Sequence, residues 1–132
     1  MAFDKRVSVS AYMSTQIHSI RVDETAKRAW EVMEKHGVRH LPVLEAGKLV
    51  GLLSITDVVA ASKRGKADMT LVSVEEICAP LAETAKPTDT LAKVAQTMAK
   101  QGIGSVVVVD GDKPVGIFTA VDACRALADA LA

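Results

Sequence analysis

Two short stretches of the sequence carry residues that could bind a small molecule, and the two are built alike. Ser54 stands three residues before Asp57, and Thr119 stands three residues before Asp122. Each pair follows an apolar run, so that we expect the carboxylate at the start of a helix. A carboxylate there can accept hydrogen bonds from the two hydroxyls of a ribose, and free amides of a helix N-terminus attract phosphate. Simple capping of the helix is the alternative for each pair.

The two stretches belong to a longer internal repeat. Between residues 13–61 and 78–126 the offset stays at 65, and ten positions are identical. These are Thr25/Thr90, Met33/Met98, Lys35/Lys100, Gly37/Gly102, Val43/Val108, Lys48/Lys113, Val50/Val115, Gly51/Gly116, Asp57/Asp122 and Ala61/Ala126. A repeat of this length is one supersecondary unit used twice. Because one such unit can hardly bury enough apolar surface alone, we expect the two to pack about a pseudo-two-fold axis.

The first copy predicts a strand, a helix, a hairpin of two strands and a second helix. Residues 17–22 are the first short strand, Asp23 is the expected N-cap, and Gly37 ends the helix in the left-handed conformation. The hairpin strands are 38–44 and 48–53, and the last helix covers about 57–63, capped by Ser54 or Thr56.

The second copy predicts the same elements. Thr88 is the expected N-cap of its first helix, and Gly102 ends that helix. The hairpin strands are 103–109 and 114–118, and a closing helix covers about 121–131. The fold class is therefore α+β, made of two repeated β-α-β-β-α units. We expect a first repeat over 10–64, a linker over 65–74 and a second repeat over 75–131.

Composition excludes several kinds of protein. The 132 residues include sixteen basic and sixteen acidic ones, so net charge does not steer the chain toward nucleic acid or an anionic membrane. The apolar runs are too short to cross a bilayer, and the N-terminus does not read as a signal peptide, which makes a cytoplasmic protein the expectation. Neither the two cysteines nor the three histidines have metal-ligand spacing. Because no catalytic motif is present, we expect that the protein is not an enzyme.

The repeated unit resembles the cystathionine-β-synthase (CBS) domain, and the tandem resembles a CBS pair, or Bateman module. The resemblance rests on four features in each copy: a helix ending in Gly37 or Gly102, the strand that follows it, the glycine in the next strand, and the Ser/Thr-x-x-Asp sequence. It covers about residues 10–130, nearly the whole chain, and it implies a stand-alone CBS pair.

That resemblance implies a regulatory module that binds an adenine nucleotide in the clefts between the repeats. AMP, ADP or ATP is the expected ligand, S-adenosylmethionine is less favoured, and no other cofactor is required. The signal would reach an unidentified protein partner through a conformational change, and a homodimer is expected. The apolar residues of the closing helix, Ala123, Ala126, Leu127, Ala130 and Leu131, could form the dimer surface or pack inside the monomer. The alternative function is a dimerising scaffold with vestigial nucleotide sites.

Site residues follow from the motifs and from the resemblance. Ribose would bind Asp57 and Asp122. The expected phosphate contacts are Ser54, Thr56, Thr119, Arg39, His40, Ser19 and Thr84, and the expected lining of the adenine site is Val38, Pro42, Ile103, Gly104, Ser105 and Val121. The resemblance groups Ser19, Val38, Arg39 and His40 with Thr119 and Asp122, and it groups Thr84, Ile103, Gly104 and Ser105 with Ser54 and Asp57. The two sites should be unequal, because uncharged Gly104 and Ser105 stand where the first copy has Arg39 and His40.

Overall fold

The computed structural model describes residues 3–63, 68–81 and 83–132. They form two compact units, each with its own sheet and its own core. The first unit is Ile17–Ala82, and the second combines Met1–Gln16 with Glu83–Ala132. The start of the chain thus belongs to the unit that contains most of the second repeat. None of the described helices has the length and apolar composition needed to cross a membrane.

The first unit is a four-stranded sheet covered by helices. Its elements are β1 (Ile20–Arg21), α1 (Ala26–His36), β2 (His40–Glu45), β3 (Lys48–Ser54), α2 (Ile55–Lys63), a 3₁₀ turn (Met69–Leu71), α3 (Val74–Ile77) and β4 (Ala79–Pro80). The strand order is β1-β2-β3-β4, in which β1 runs parallel to β2 and the other neighbours are antiparallel.

The second unit repeats this plan. Its elements are a 3₁₀ turn (Val9–Ala11), β5 (Thr84–Ala85), α4 (Leu91–Gln101), β6 (Ser105–Asp110), β7 (Lys113–Thr119) and α5 (Ala120–Leu131). The strand order is β5-β6-β7, with β5 parallel to β6 and β6 antiparallel to β7. The α+β class and the repeated β-α-β-β-α unit are therefore confirmed.

Both cores are mainly aliphatic, as the low aromatic content requires, and the second also contains Phe118. Leu41, Leu53 and Val74 are fully buried in the first unit, while Val108 and Phe118 are buried in the second. Burial of such side chains stabilises each by roughly 1.5–3 kcal/mol relative to exposure.

The predicted helix caps at Asp23 and Thr88 were wrong by two residues. Thr25 caps α1, since its hydroxyl accepts a hydrogen bond from the Arg28 amide at 3.0 Å. Thr90 caps α4 in the same way through the Lys93 amide. In both copies of the repeat the backbone makes a turn first, so each helix begins only after that turn.

The first strand of each hairpin also begins later than predicted. Strand β2 begins at His40, because the Val38 amide donates to the Met33 carbonyl at 3.1 Å and so completes the end of α1. Ile103 does the same with Met98 at 3.0 Å. The predicted strand 17–22 is shorter as well, since only Ile20–Arg21 pairs with β2.

The predicted linker 65–74 lies outside the described residues over 65–67. Its described part packs on the first unit, where Val72 and Val74 are buried. The Ala26 amide donates to the Val72 carbonyl at 2.8 Å, and the Val74 amide donates to the Glu24 carbonyl at 2.8 Å. These bonds hold residues 72–74 against the start of α1.

Candidate functional site

In each unit, the hairpin brings the start of one strand next to the N-terminus of the following helix. His40 lies opposite Ser54 in the first unit, and the Ile55 amide donates to the Arg39 carbonyl at 2.9 Å. We call this junction of strand start and helix N-terminus a corner, and the second unit has the same one. Ser105 lies opposite Thr119, and the Ala120 amide donates to the Gly104 carbonyl at 2.9 Å. Antiparallel pairing therefore places the predicted phosphate and adenine residues beside the predicted ribose residues of the same unit.

Asp57 forms reciprocal hydrogen bonds with Ser54 at the start of α2. Its Oδ2 accepts from the Ser54 amide at 3.1 Å, and its own amide donates to the Ser54 hydroxyl at 3.2 Å. The side chain is half-buried, and within residues 3–63, 68–81 and 83–132 no donor reaches Oδ1. Asp57 therefore caps the helix and still has one oxygen available.

Asp122 occupies the same position on α5 but accepts more hydrogen bonds than Asp57. Its Oδ2 accepts from the Thr119 amide at 2.9 Å and from the Thr119 hydroxyl at 3.1 Å. Its Oδ1 is paired with the guanidinium of Arg125, one turn further along the helix. Asp122 is only 3% exposed. Both aspartates thus make the capping contacts that were the simpler interpretation of the sequence, and Asp122 makes an ion pair in addition.

Positive charge lies beside the first corner. Arg39 is exposed just before β2, whereas His40, the first residue of β2, is half-buried. Burial lowers the pKa of His40 below the usual histidine value, and the charge of Arg39 lowers it further, while Asp57 opposes both. His40 is therefore a neutral imidazole near pH 7 and would approach an anion as a hydrogen-bond donor. Gly104 and Ser105 supply no charge at the second corner.

The other predicted site residues lie at varied depths. Thr56 and Val121 are exposed in the first turns of α2 and α5, and Ser19 is exposed directly before β1. Thr84 is exposed in β5 and lines a pocket of about 250 Å³ together with Glu83, Asp89, Lys93 and Thr97. Val38 and Ile103 pack half-buried against their cores, and Pro42 is fully buried in β2.

Sequence reasoning missed Arg125. The spacing Asp122-x-x-Arg125 on a helix is the signal that would have found it, since residues three apart share a helix face. Over the described parts of the chain, no three His, Cys, Asp or Glu side chains are grouped so that they could hold a metal ion.

Comparison with known proteins gives consistent matches. The sequence model of the CBS domain matches residues 9–64 and 74–129. The CBS domain-containing protein YhcV of Bacillus subtilis is 30% identical over 116 residues, which cover 87% of this chain and 81% of YhcV.

Two solved structures have the same fold. The CBS domain pair of protein MJ0100, in complex with 5′-methylthioadenosine and S-adenosyl-L-methionine, superposes with a TM-score of 0.82 at 29% identity, covering 93% of this chain and 97% of that one. CBSX2, solved in complex with AMP, superposes with a TM-score of 0.76 at 22% identity over 96% and 99% of the two chains. This second likeness concerns the fold alone. Other curated relatives are longer, and this chain spans 43% and 48% of the length of two of them.

Proposed function

Because the chain belongs to the CBS domain family and carries two copies of the domain, we propose that it is a regulatory module that binds an adenine nucleotide. AMP, ADP and ATP are the proposed ligands. The observation that carries the proposal is the repeated corner, in which a helix N-terminus holds a hydroxyl and a carboxylate three residues apart. The dipole of a helix favours phosphate at such an N-terminus, and a carboxylate favours the ribose hydroxyls.

The similarity to the MJ0100 pair supports an adenosine-containing ligand. Both molecules bound to that protein carry adenine and a ribose with two neighbouring hydroxyls. Neither carries a phosphate. For this chain a phosphate is favoured by Arg39, which is exposed, and by His40, which offers a neutral donor beside the helix N-terminus. S-adenosylmethionine, a cation at its sulfur atom, is disfavoured by the same positive charge.

The proposal gives each site residue the role that the motifs and the family resemblance imply. We assign the ribose to Asp57 and Asp122. The phosphate contacts in the proposal are Ser54, Thr56, Thr119, Arg39, His40, Ser19 and Thr84, and the adenine would meet Val38, Pro42, Ile103, Gly104, Ser105 and Val121. Pro42 is fully buried in the described structure, so we expect it to contribute through its backbone.

Regulation would follow from a shift between two conformations. A nucleotide changes such an equilibrium only by the difference between its affinities for the two states. A protein partner would respond to this change in conformation.

A dimerising scaffold is the second candidate function, and the surface of α5 favours it. Val121, Leu127 and Leu131 are 68%, 58% and 77% exposed, although they are large and apolar. The five residues named from the sequence divide between its two alternatives, because Ala126 is buried and Ala123 packs against the second core, while Leu127, Ala130 and Leu131 are exposed. The exposed side of α5 would bind a second copy of the chain.

Calorimetric titration with AMP, ADP, ATP and S-adenosylmethionine tests the proposed function. We expect saturable binding of at least one of the three nucleotides. The variants Asp57→Asn and Asp122→Asn remove the negative charge, while the amide oxygen can still accept the capping hydrogen bond. Each should weaken one site by about tenfold or more, because a hydrogen bond to a charged group contributes roughly 1.5–3 kcal/mol.

The matched control is Asp112→Asn, which removes the same charge from an exposed loop. It should leave nucleotide affinity unchanged. Absence of binding at millimolar nucleotide, or full affinity in the double Asp57→Asn, Asp122→Asn variant, would refute the nucleotide proposal. A dimer that forms equally well with and without nucleotide would then favour the scaffold.

A further inference from the structure

We infer that Arg125 determines how strongly the second unit distinguishes ribose from deoxyribose. While Arg125 is paired with Asp122, that carboxylate can accept a hydrogen bond from only one of the two ribose hydroxyls. The carboxylate of Asp57 can accept hydrogen bonds from both. This inference rests on the proposed function, and it concerns specificity within it.

The two carboxylates differ in the number of hydrogen bonds that they already accept. An ionised carboxylate offers about four acceptor positions, two on each oxygen. Three of them are taken at Asp122, by the Thr119 amide, the Thr119 hydroxyl and the Arg125 guanidinium. At Asp57 the Ser54 amide takes one, and among residues 3–63, 68–81 and 83–132 no other donor reaches that carboxylate. Two neighbouring hydroxyls need two free positions, which Asp57 has and Asp122 lacks.

The two helices differ in sequence at the position one turn after the aspartate. Ala60 stands in α2 where Arg125 stands in α5, at the internal offset of 65. An alanine cannot pair with the carboxylate one turn earlier. The difference between the two sites is therefore caused by one side chain and can be exchanged between the units.

A bound nucleotide could in principle displace Arg125 from Asp122. The pair has one buried member, since the Asp122 side chain is 5% exposed and that of Arg125 is 64% exposed. Arg125 also borders a surface depression of about 580 Å³, together with Tyr12, Ser14 and Asp129, and so has room to move. A guanidinium is nevertheless a stronger partner for a carboxylate than a neutral hydroxyl, and a buried carboxylate that loses its cation is destabilised. The pair therefore persists when a ribose binds.

The consequence is a measurable difference between AMP and 2′-deoxy-AMP. At the Asp57 site, loss of the 2′-hydroxyl removes a hydrogen bond to a charged group, so 2′-deoxy-AMP should bind about tenfold or more weakly than AMP. At the Asp122 site the remaining 3′-hydroxyl can use the single free position. There the two ligands should differ by less than about threefold.

The experiment measures the ratio of the two dissociation constants at one site at a time. Asp57→Asn weakens the first site and Asp122→Asn weakens the second, so the tighter binding phase in each variant reports the unaltered site. In the Asp57→Asn background, Arg125→Met should raise the ratio toward tenfold, and Arg125→Lys should keep it low because lysine can still pair with Asp122. The ratio cancels any general attraction of Arg125 for phosphate, because both ligands carry the same phosphate.

The reciprocal exchange is Ala60→Arg in the Asp122→Asn background, which should reduce the ratio at the first site. A thermal unfolding curve for each variant verifies that it is folded before titration. If AMP binds but the ratio does not respond to Arg125→Met, the role of Arg125 is wrong while the nucleotide site stands. If no form binds either ligand, the proposed function fails and the inference fails with it.

Discussion

Ser14 and Ile117 exchange two backbone hydrogen bonds, at 2.8 and 3.0 Å, and so join the start of the chain to the middle of β7. The first unit has the same arrangement between Ala79 and Leu52, which pair in the β3–β4 ladder. Each glycine-bearing strand is therefore flanked by the segment that begins the other sequence repeat. The compact units and the sequence repeats do not share their boundaries for this reason.

Gly51 and Gly116 are required by this close approach. A Cβ at Gly51 would lie 2.7 Å from the Ala79 carbonyl oxygen, and a Cβ at Gly116 would lie 2.6 Å from the Met13 sulfur. We expect Gly51→Ala to lower the free energy of unfolding by roughly 1–3 kcal/mol, because a backbone carbonyl cannot move aside easily. A Cβ at Gly116 would also lie 3.0 Å from the Ser14 carbonyl oxygen, so Gly116→Ala should destabilise the protein as well, but by less, since its closest contact is the flexible Met13 side chain.

Urea denaturation measures both effects, with Gly104→Ala as the matched control. A Cβ at Gly104 would meet no atom within 4 Å. Equal stability of the Gly51→Ala and Gly104→Ala variants would show that the β3–β4 contact is looser than the structure describes.

Thr119 stabilises α5 through its side chain as well as its backbone. Its hydroxyl accepts from the Asp122 amide and donates to the Asp122 carboxylate. Thr119→Ala should lower the free energy of unfolding by about 1 kcal/mol, the usual value for loss of an N-cap hydroxyl. Thr119→Ser keeps the hydroxyl and should lie within a few tenths of a kcal/mol of the original protein. Chemical denaturation of both variants tests this, and a serine variant as unstable as the alanine variant would contradict it.

His40 makes stability depend on pH in a defined direction. Its pKa in the folded protein is lowered, chiefly by burial, relative to the usual value of about 6.5. The unfolded chain therefore binds the proton more tightly. The contribution of His40 to the free energy of unfolding is fully present above about pH 6.5. It decreases as the pH falls below that value, and it becomes constant once the pH is below the lowered pKa of the folded state.

The variant His40→Gln should flatten this dependence between pH 5 and 7.5, as measured by urea denaturation at a series of pH values. His36 contributes a dependence of the same sign, because its pKa is lowered by burial and by the neighbouring His18, whose ring stacks on it at 3.6 Å. The informative control is therefore His36→Gln, which should leave the contribution of His40 in place. If the pH dependence of the free energy of unfolding is unchanged in His40→Gln, His40 is not its cause.

The exposed side of α5 should control self-association. Leu127→Lys and Leu131→Glu place charges on positions that are exposed in the single chain, so the fold should tolerate both. If the proposed dimer forms through this side of α5, the double variant should sediment with a lower apparent mass than the original protein at the same concentration. Ala92→Lys, at an exposed position of α4, is the control and should leave association unchanged. A double variant that associates normally would assign the dimer to another surface.

Much of the fold was predictable because its signals are local. Gly37 and Gly102 end α1 and α4 with positive φ values, as the sequence predicted, because a residue without a Cβ adopts that conformation at little cost. The hairpins followed from apolar runs on either side of short polar turns. The caps were less predictable, since Asp23 and Thr25 are equally suitable residue types, and only the turn that precedes α1 decides between them.

The sequence by itself determined the repeat, the α+β class and the two Ser/Thr-x-x-Asp corners, because each depends on residues close together in the chain. Only the tertiary structure decided which segments flank Gly51 and Gly116, since backbone pairing between distant residues leaves no periodic signal. It also decided that Asp122 shares its carboxylate with Arg125, whereas no arginine in the described part of the chain pairs with Asp57. Both aspartates have the same motif, and their difference arises from the side chain one helical turn later and from how deeply each carboxylate is buried.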